Sequence, residues 1–136
     1  MDNLLVDTNI VIDLLTKRKE FYMPASILFT LSDNKEVKLS ISSLTFANTF
    51  YLISKELNAK KAKEFLRKFK LLVMVLPMDD KIIDLSLNSN FNDFEDAIQY
   101  FTALENKLEV IITRNLKDFK HSKIPVMTAK NYLAMK

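Results

Sequence analysis

Glycine and cysteine are both absent from the 136 residues. Without glycine there is no bare-backbone loop to cradle phosphate, which excludes the dinucleotide-binding and triphosphate-binding loops built that way. Without cysteine there is no disulfide framework and no thiolate zinc site, and a reducing compartment is permitted. The one histidine, His121, sits in a lysine-flanked loop. It cannot alone supply imidazole ligands to a structural metal, and no Ser-His-Asp or Cys-His set exists for covalent catalysis. Long apolar runs are scarce as well. The longest, Leu71 to Pro77 with Met78 behind it, falls far short of the ~18 residues that suggest a membrane span. Asp2 follows the initiator directly and Leu4 to Val6 is too short for a signal segment, so a cytoplasmic protein without membrane contact is expected.

What remains is an apolar-rich chain of ordinary domain length, able to bury a core without staples. No repeat, low-complexity tract or linker interrupts it, so a single domain over residues 1–136 is expected. The net charge of +3 points only weakly to nucleic acid.

The order of elements is legible from periodicity. Leu4 to Val6 reads as a buried strand, and Asp7-Thr8-Asn9 supplies capping side chains for a helix through Ile12 and Leu15. Pro24 suits the first turn of a second helix, which ends by Asn34. Lys38 to Ser42 alternates as a strand, and a helix with Phe46, Phe50 and Tyr51 on its buried face follows. A fourth helix from Ala59 leads into an apolar strand from Leu71 to Leu76. Asp79 caps a fifth helix and Asp93 opens a sixth. Val110 to Thr113 and Val126-Met127 are two further strands, with a polar loop through Asp118 between them and a last helix after Thr128. The alternation predicts an α/β fold, a three-layer α/β/α sandwich on a central, mostly parallel sheet.

In such sheets functional groups gather beyond the carboxyl ends of the strands. There the reading places Asp7, then Asn48 in the early turns of the third helix, then Asp93 and Asp96, then Asp118. Asp93 and Asp96, three apart, share a helical face near its positive end, whereas Glu95 is expected to point elsewhere. Crowded carboxylates raise one another's pKa unless a cation neutralises them, and hard oxygen donors favour magnesium or manganese. Such an ion can activate water and neutralise charge on a phosphate, which suits phosphodiester hydrolysis. Taken singly, each acid could be no more than a helix cap.

Four segments together carry a resemblance across nearly the whole chain. Val6-Asp7-Thr8-Asn9-Ile10-Val11-Ile12-Asp13, Ile41-Ser42-Ser43-Leu44-Thr45, Asp93-Phe94-Glu95-Asp96-Ala97, and Ile112-Thr113-Arg114-Asn115 with Asp118-Phe119 resemble the PIN-domain family. The resemblance implies a magnesium- or manganese-dependent endoribonuclease, often the toxin of a bacterial toxin and antitoxin pair and often a homodimer. By position, Asp7, Asp96 and Asp118 become the expected catalytic metal ligands. Asp93 and Asn115 become supporting partners, and Thr8 and Asn9 fix the loop that presents Asp7. Asp13 is expected to cap or pair within its own helix. The chain departs from the pattern at Asn48, where many PIN nucleases have a glutamate. A non-catalytic PIN-like module that binds RNA or a protein is therefore the alternative. Lys17, Arg18 and Lys19, with Arg114, are the candidate RNA contacts. A dehalogenase-like phosphatase or a receiver domain fits poorly. Asn9 stands where the first needs aspartate, and no lysine follows a late strand as the second requires.

Overall fold

The computed structural model describes all residues from 1 to 136. Five strands form one wholly parallel sheet: β1 (Asp2–Val6), β2 (Val37–Ser42), β3 (Met74–Leu76), β4 (Val110–Ile112) and β5 (Val126–Met127), in the order β3-β2-β1-β4-β5. Parallel neighbours need crossovers, and helices supply them except between β4 and β5, where only a 3-10 turn, Leu116–Phe119, intervenes. The helices are α1 (Thr8–Leu15), α2 (Tyr22–Asp33), α3 (Ser43–Glu56), α4 (Ala59–Phe69), α5 (Asp80–Leu87) and α6 (Phe94–Glu105), with α7 (Ala129–Ala134) closing the chain.

Alternation along the strands divides the core between two faces. Leu4, Val6, Val37, Leu39, Ile41 and Ile112 pack with residues of α1, α2, α3, α4 and α7, including Leu28, Phe29, Ile53 and Leu66. Leu5 and Ile111 turn to the other face and meet Tyr100 and Ala103 of α6 and Phe119. Helices thus cover both sides of the sheet, giving the three layers that the pattern of elements predicts. No helix is long and apolar enough to cross a membrane.

The third strand is shorter than the apolar run from Leu71 to Leu76 suggests. A 3-10 turn covers Lys70–Leu72, and Leu71 is left 85% exposed. Only Met74, Val75 and Leu76 find partners, opposite Ser40, Ile41 and Ser42. The strand begins only after the 3-10 turn, although β2 extends back to Val37 and has residues to spare.

The sheet order places a topological switch at the β1–β4 boundary. From β1 the chain winds outward through β2 to β3, then returns to the other side of β1 and winds outward again through β4 to β5. Two crossovers leaving adjacent strands in opposite directions open a crevice beyond their carboxyl ends.

The lack of glycine has a local cost. Lys17, Lys35 and Lys107 all have positive φ, at 53°, 62° and 56°. Lys35 and Lys107 occupy the left-handed position just past the caps of α2 and α6. There Glu36 N–H donates to Leu31 O at 2.9 Å and Leu108 N–H to Ala103 O at 2.9 Å. This is the Schellman closure, in which glycine is the usual residue because a Cβ is penalised. Replacing Lys35 or Lys107 with glycine is expected to stabilise the protein by about 1 kcal/mol each, relief of left-handed strain outweighing the added entropy of the unfolded chain. Urea unfolding of each variant measures this.

Candidate active site

Asp7 stands at the end of β1. Its backbone N–H donates to Ile112 O at 2.9 Å, extending the pairing with β4 by one residue. Extended φ and ψ make it the N-cap of α1, and its Oδ1 accepts from Thr8 N–H at 2.7 Å. Thr113, next after β4, donates its hydroxyl to Asp7 Oδ2 at 2.8 Å. That hydroxyl oxygen in turn accepts from Asn9 Nδ2 at 3.2 Å and Asn115 N–H at 3.1 Å. Asn9 Oδ1 accepts from Arg114 N–H at 3.3 Å. The start of α1 and the end of β4 are therefore stitched together around one buried carboxylate.

A second polar cluster lies beneath. Thr8 Oγ1 and Thr45 Oγ1 are 3.0 Å apart, Ser42 Oγ lies 3.2 Å from Thr45 Oγ1, and Gln99 Nε2 donates to that same oxygen at 2.6 Å. These bonds join α1, α3 and α6 below the cleft.

The cleft itself, of about 350 Å³, is lined by Asp7, Thr8, Asn9, Ile12, Arg18, Leu52, Asp93, Glu95, Asp96, Gln99, Asn115 and Asp118. The acids singled out from sequence thus meet at the switch point from three directions: Asp7 after β1, Asp93 and Asp96 at the start of α6, and Asp118, with Asn115, around the 3-10 turn Leu116–Phe119, whereas Asn48 on α3 lies outside the lining. Asp93 is the N-cap of α6, and its Oδ1 accepts from Glu95 N–H at 2.8 Å and Asp96 N–H at 3.3 Å.

Crowding and burial act in the same direction on the carboxylates. Burial pushes Asp7 upward against the opposing hydrogen bonds from Thr113 and Thr8, and the charges of Glu95 and Asp93 add to the rise. Asp96 is pushed up to about 7, first by desolvation and then by Asp93, Asp7, Asp118 and Glu95. The donors are all oxygen. The carboxylates line the walls of the cleft, and no three of them close on a single point. A hard ion that retains several waters, as magnesium does, fits such a set.

Several residues sit differently from expectation. Glu95 does not point away: it lines the cleft and accepts from Asn48 Nδ2 at 3.4 Å. Asp93 and Asp96 share a helical face only if Asp93 belongs to the helix. Asp93 is instead an extended cap, so helical periodicity starts one residue later and both residues of the first turn reach the opening. Arg114 is not turned toward the cleft as an RNA contact. Its Nε and Nη2 donate to Asp13 Oδ2 and Oδ1 at 2.8 and 3.1 Å, and its guanidinium lies 4.0 Å from the centre of the Phe21 ring. Asp13, fully buried, accordingly pairs across to the end of β4 rather than within its own helix. Of the basic run after α1, Arg18 lines the cleft, while Lys17 and Lys19 are exposed outside its lining. On α3, Tyr51 is 66% exposed rather than buried.

Thr113, Thr45 and Gln99 carry roles that sequence reasoning missed. Thr113 lies inside a motif that drew attention only to its neighbours. Gln99 is three residues after Asp96, a spacing that puts it on the same helical face.

The raised acids imply a definite pH response. Asp96 binds its proton more tightly folded than unfolded, so its contribution to stability is fully present below the unfolded value near 3.8 and is lost as pH rises through about 7. Asp7 acts in the same direction. The metal-free protein is therefore expected to melt at a lower temperature at pH 8 than at pH 5. Asp96→Asn should flatten that dependence, which calorimetric scans of the two proteins across the range would measure.

Comparison with known proteins places this geometry. A family model described as PIN domain matches residues 3–117. The chain is 25% identical to Ribonuclease VapC1 of Aquifex aeolicus (strain VF5) over 138 residues, covering 96% of this chain and 93% of that one. It is similar to a chain of a toxin-antitoxin complex from Klebsiella pneumoniae, with a TM-score of 0.69 and 28% identity over 93% of this chain and 97% of the other. FitAcB from Neisseria gonorrhoeae shares the fold at a TM-score of 0.72, with 17% identity over 93% and 98%. With the family model spanning most of its length and the acids at the switch point of its sheet, this chain belongs to the PIN-domain family.

Proposed function

We propose that residues 1–136 form one PIN domain that acts as a metal-dependent endoribonuclease, the toxin of a toxin-antitoxin pair. The observation that carries this is the meeting of Asp7, Asp96 and Asp118, from three separate segments, in one cleft at the β1–β4 switch point. The relative named Ribonuclease VapC1 and the toxin-antitoxin complex support the assignment of activity and partner. The protein then works in the cytoplasm, on RNA, under the control of an antitoxin protein.

Asp7, Asp96 and Asp118 are proposed to hold magnesium or manganese, directly or through the ion's own waters, with Asp93 and Asn115 in support. When bound, the ion would supply an activated water and neutralise charge on the scissile phosphate. The chain does the rest. Thr113 and Thr8 N–H fix the two oxygens of Asp7, so this carboxylate is presented in one orientation at little entropic cost on binding. Asp96, held near neutrality by its surroundings, gives up its proton when a cation arrives, so uptake of metal releases protons and strengthens as pH rises through about 7. Arg18 at the rim, its side chain 54% exposed, is placed to meet an RNA phosphate, and Lys17 and Lys19 extend the positive field beside it. The groove between α3 and α4, with Phe46, Phe50, Tyr51 and Leu66 along it, supports a homodimer that covers this apolar surface.

The decisive experiment incubates purified protein with structured and single-stranded RNA in manganese, magnesium or chelator. Cleavage with metal, abolished by chelator and reduced at least about 100-fold in Asp7→Asn, is the expected result. Charge reversal of Lys17, Arg18 and Lys19 should raise KM, and make it less sensitive to salt, more than it lowers kcat. RNA binding without cleavage in any metal would favour the binding-module alternative.

A further inference from the structure

The cleft holds a carboxylate that the three-aspartate assignment leaves without a role. Asp93 is committed to the start of α6 through its bonds to Glu95 N–H and Asp96 N–H. Glu95 has no cationic partner. Its side chain lines the cleft beside Asp7, Asp96 and Asp118, and its one hydrogen bond comes from Asn48 on α3 at 3.4 Å. An amide donates to a carboxylate without adding charge of its own, so this pair presents a single negative charge at the α3–α6 wall.

A second observation marks the same place. Gln99, 2% exposed, also lines the cleft. Its Nε2 is satisfied by Thr45 Oγ1, while its Oε1 is buried without a partner. A buried carbonyl oxygen without a donor is costly and calls for one. The carboxylates around it, when ionised, can only accept. Five carboxylates lining the same cleft as an orphaned acceptor suit the surroundings of a hydrated cation, since ligand waters donate outward to such oxygens.

We propose that Glu95 is a fourth carboxylate of the metal site, that Asn48 is the positioning residue holding it toward the cleft, and that Gln99 Oε1 receives a hydrogen bond from the ion's water. This rests on the metal-dependent reading given above. Asn48 is then a hydrogen-bond donor serving a ligand on the facing helix, and the charge at that wall is carried by α6 instead of α3.

Calorimetric titration of the full chain with manganese alone, without RNA, tests it. Glu95→Gln should weaken manganese binding about tenfold, and Asn48→Ala, which frees Glu95 to swing into solvent, by a smaller factor. The exchanged pair Asn48→Glu with Glu95→Gln keeps one charge and one amide at the wall and should recover most of the lost affinity. A merely structural role for either residue would move the melting temperature, followed in parallel, without moving manganese affinity. If wild type binds manganese, Asp7→Asn loses it, and Glu95→Gln binds as wild type does, the role of Glu95 is overturned and the three-aspartate site stands. If wild type binds no manganese, the metal reading fails and the inference with it.

Discussion

The pairing of β1 with β4 is the contact on which the site depends. Leu4, Leu5 and Val6 lie opposite Val110, Ile111 and Ile112, which brings the first ten residues against a segment more than a hundred positions later. Once that ladder has formed, Asp7 N–H reaches Ile112 O, and Thr113 comes within hydrogen-bonding distance of the Asp7 carboxylate. The Asn9 bridge to Thr113 and Arg114, and the bond from Asn115 N–H to Thr113, follow from that register. A slip of one residue would exchange the faces on which Leu5 and Val6 pack and move Asp7 away from Thr113 at once.

That contact also sets the electrostatic tension of the molecule. Burying Asp7 and setting Asp96 among four other acids destabilises their charged forms, which is why both hold their protons more tightly than free carboxylates do. The buried acid on the opposite side of α1 is treated differently. Asp13 is fully buried yet meets Arg114 through two parallel bonds, a compensated pair with its cation locked in place. One helix therefore carries a neutralised acid on its far side and an uncompensated one at its N-terminus. The uncompensated acid faces the open cleft, where a ligand can reach it.

Arg114 and Arg18 divide the cationic work. Arg114, beside the Phe21 ring and on Asp13, anchors α1 and the segment before α2 to the end of β4. Arg18 stays largely in solvent at the rim. Two arginines thus flank the same buried acid: Arg114 grips Asp13 at 2.8 Å, while Arg18 reaches it only at 3.9 Å and leaves most of its side chain in solvent at the rim.

Local pattern alone determined much of this protein. Strand-length apolar runs, capping side chains at Asp7, Asp79, Asp93 and Thr128, and apolar helical stripes announced nearly every element and the α/β class. The four quoted segments announced the family. These are short-range properties, set by neighbours along the chain, so they are legible without a fold. The tertiary structure decided what depends on distant partners. The paired length of β3 is set by the 3-10 turn Lys70–Leu72 that precedes it, and Glu95 turns into the cleft because Asp93 lies outside the helix and Asn48 stands across from it. Arg114 is drawn inward because Asp13 is buried with no other counter-charge so close. The role of Thr113 exists only because β4 lies beside β1. Spacing along a sequence fixes which residues can share a face, but the partner that satisfies a buried charge or hydroxyl arrives from elsewhere in the chain, and only the folded packing selects it.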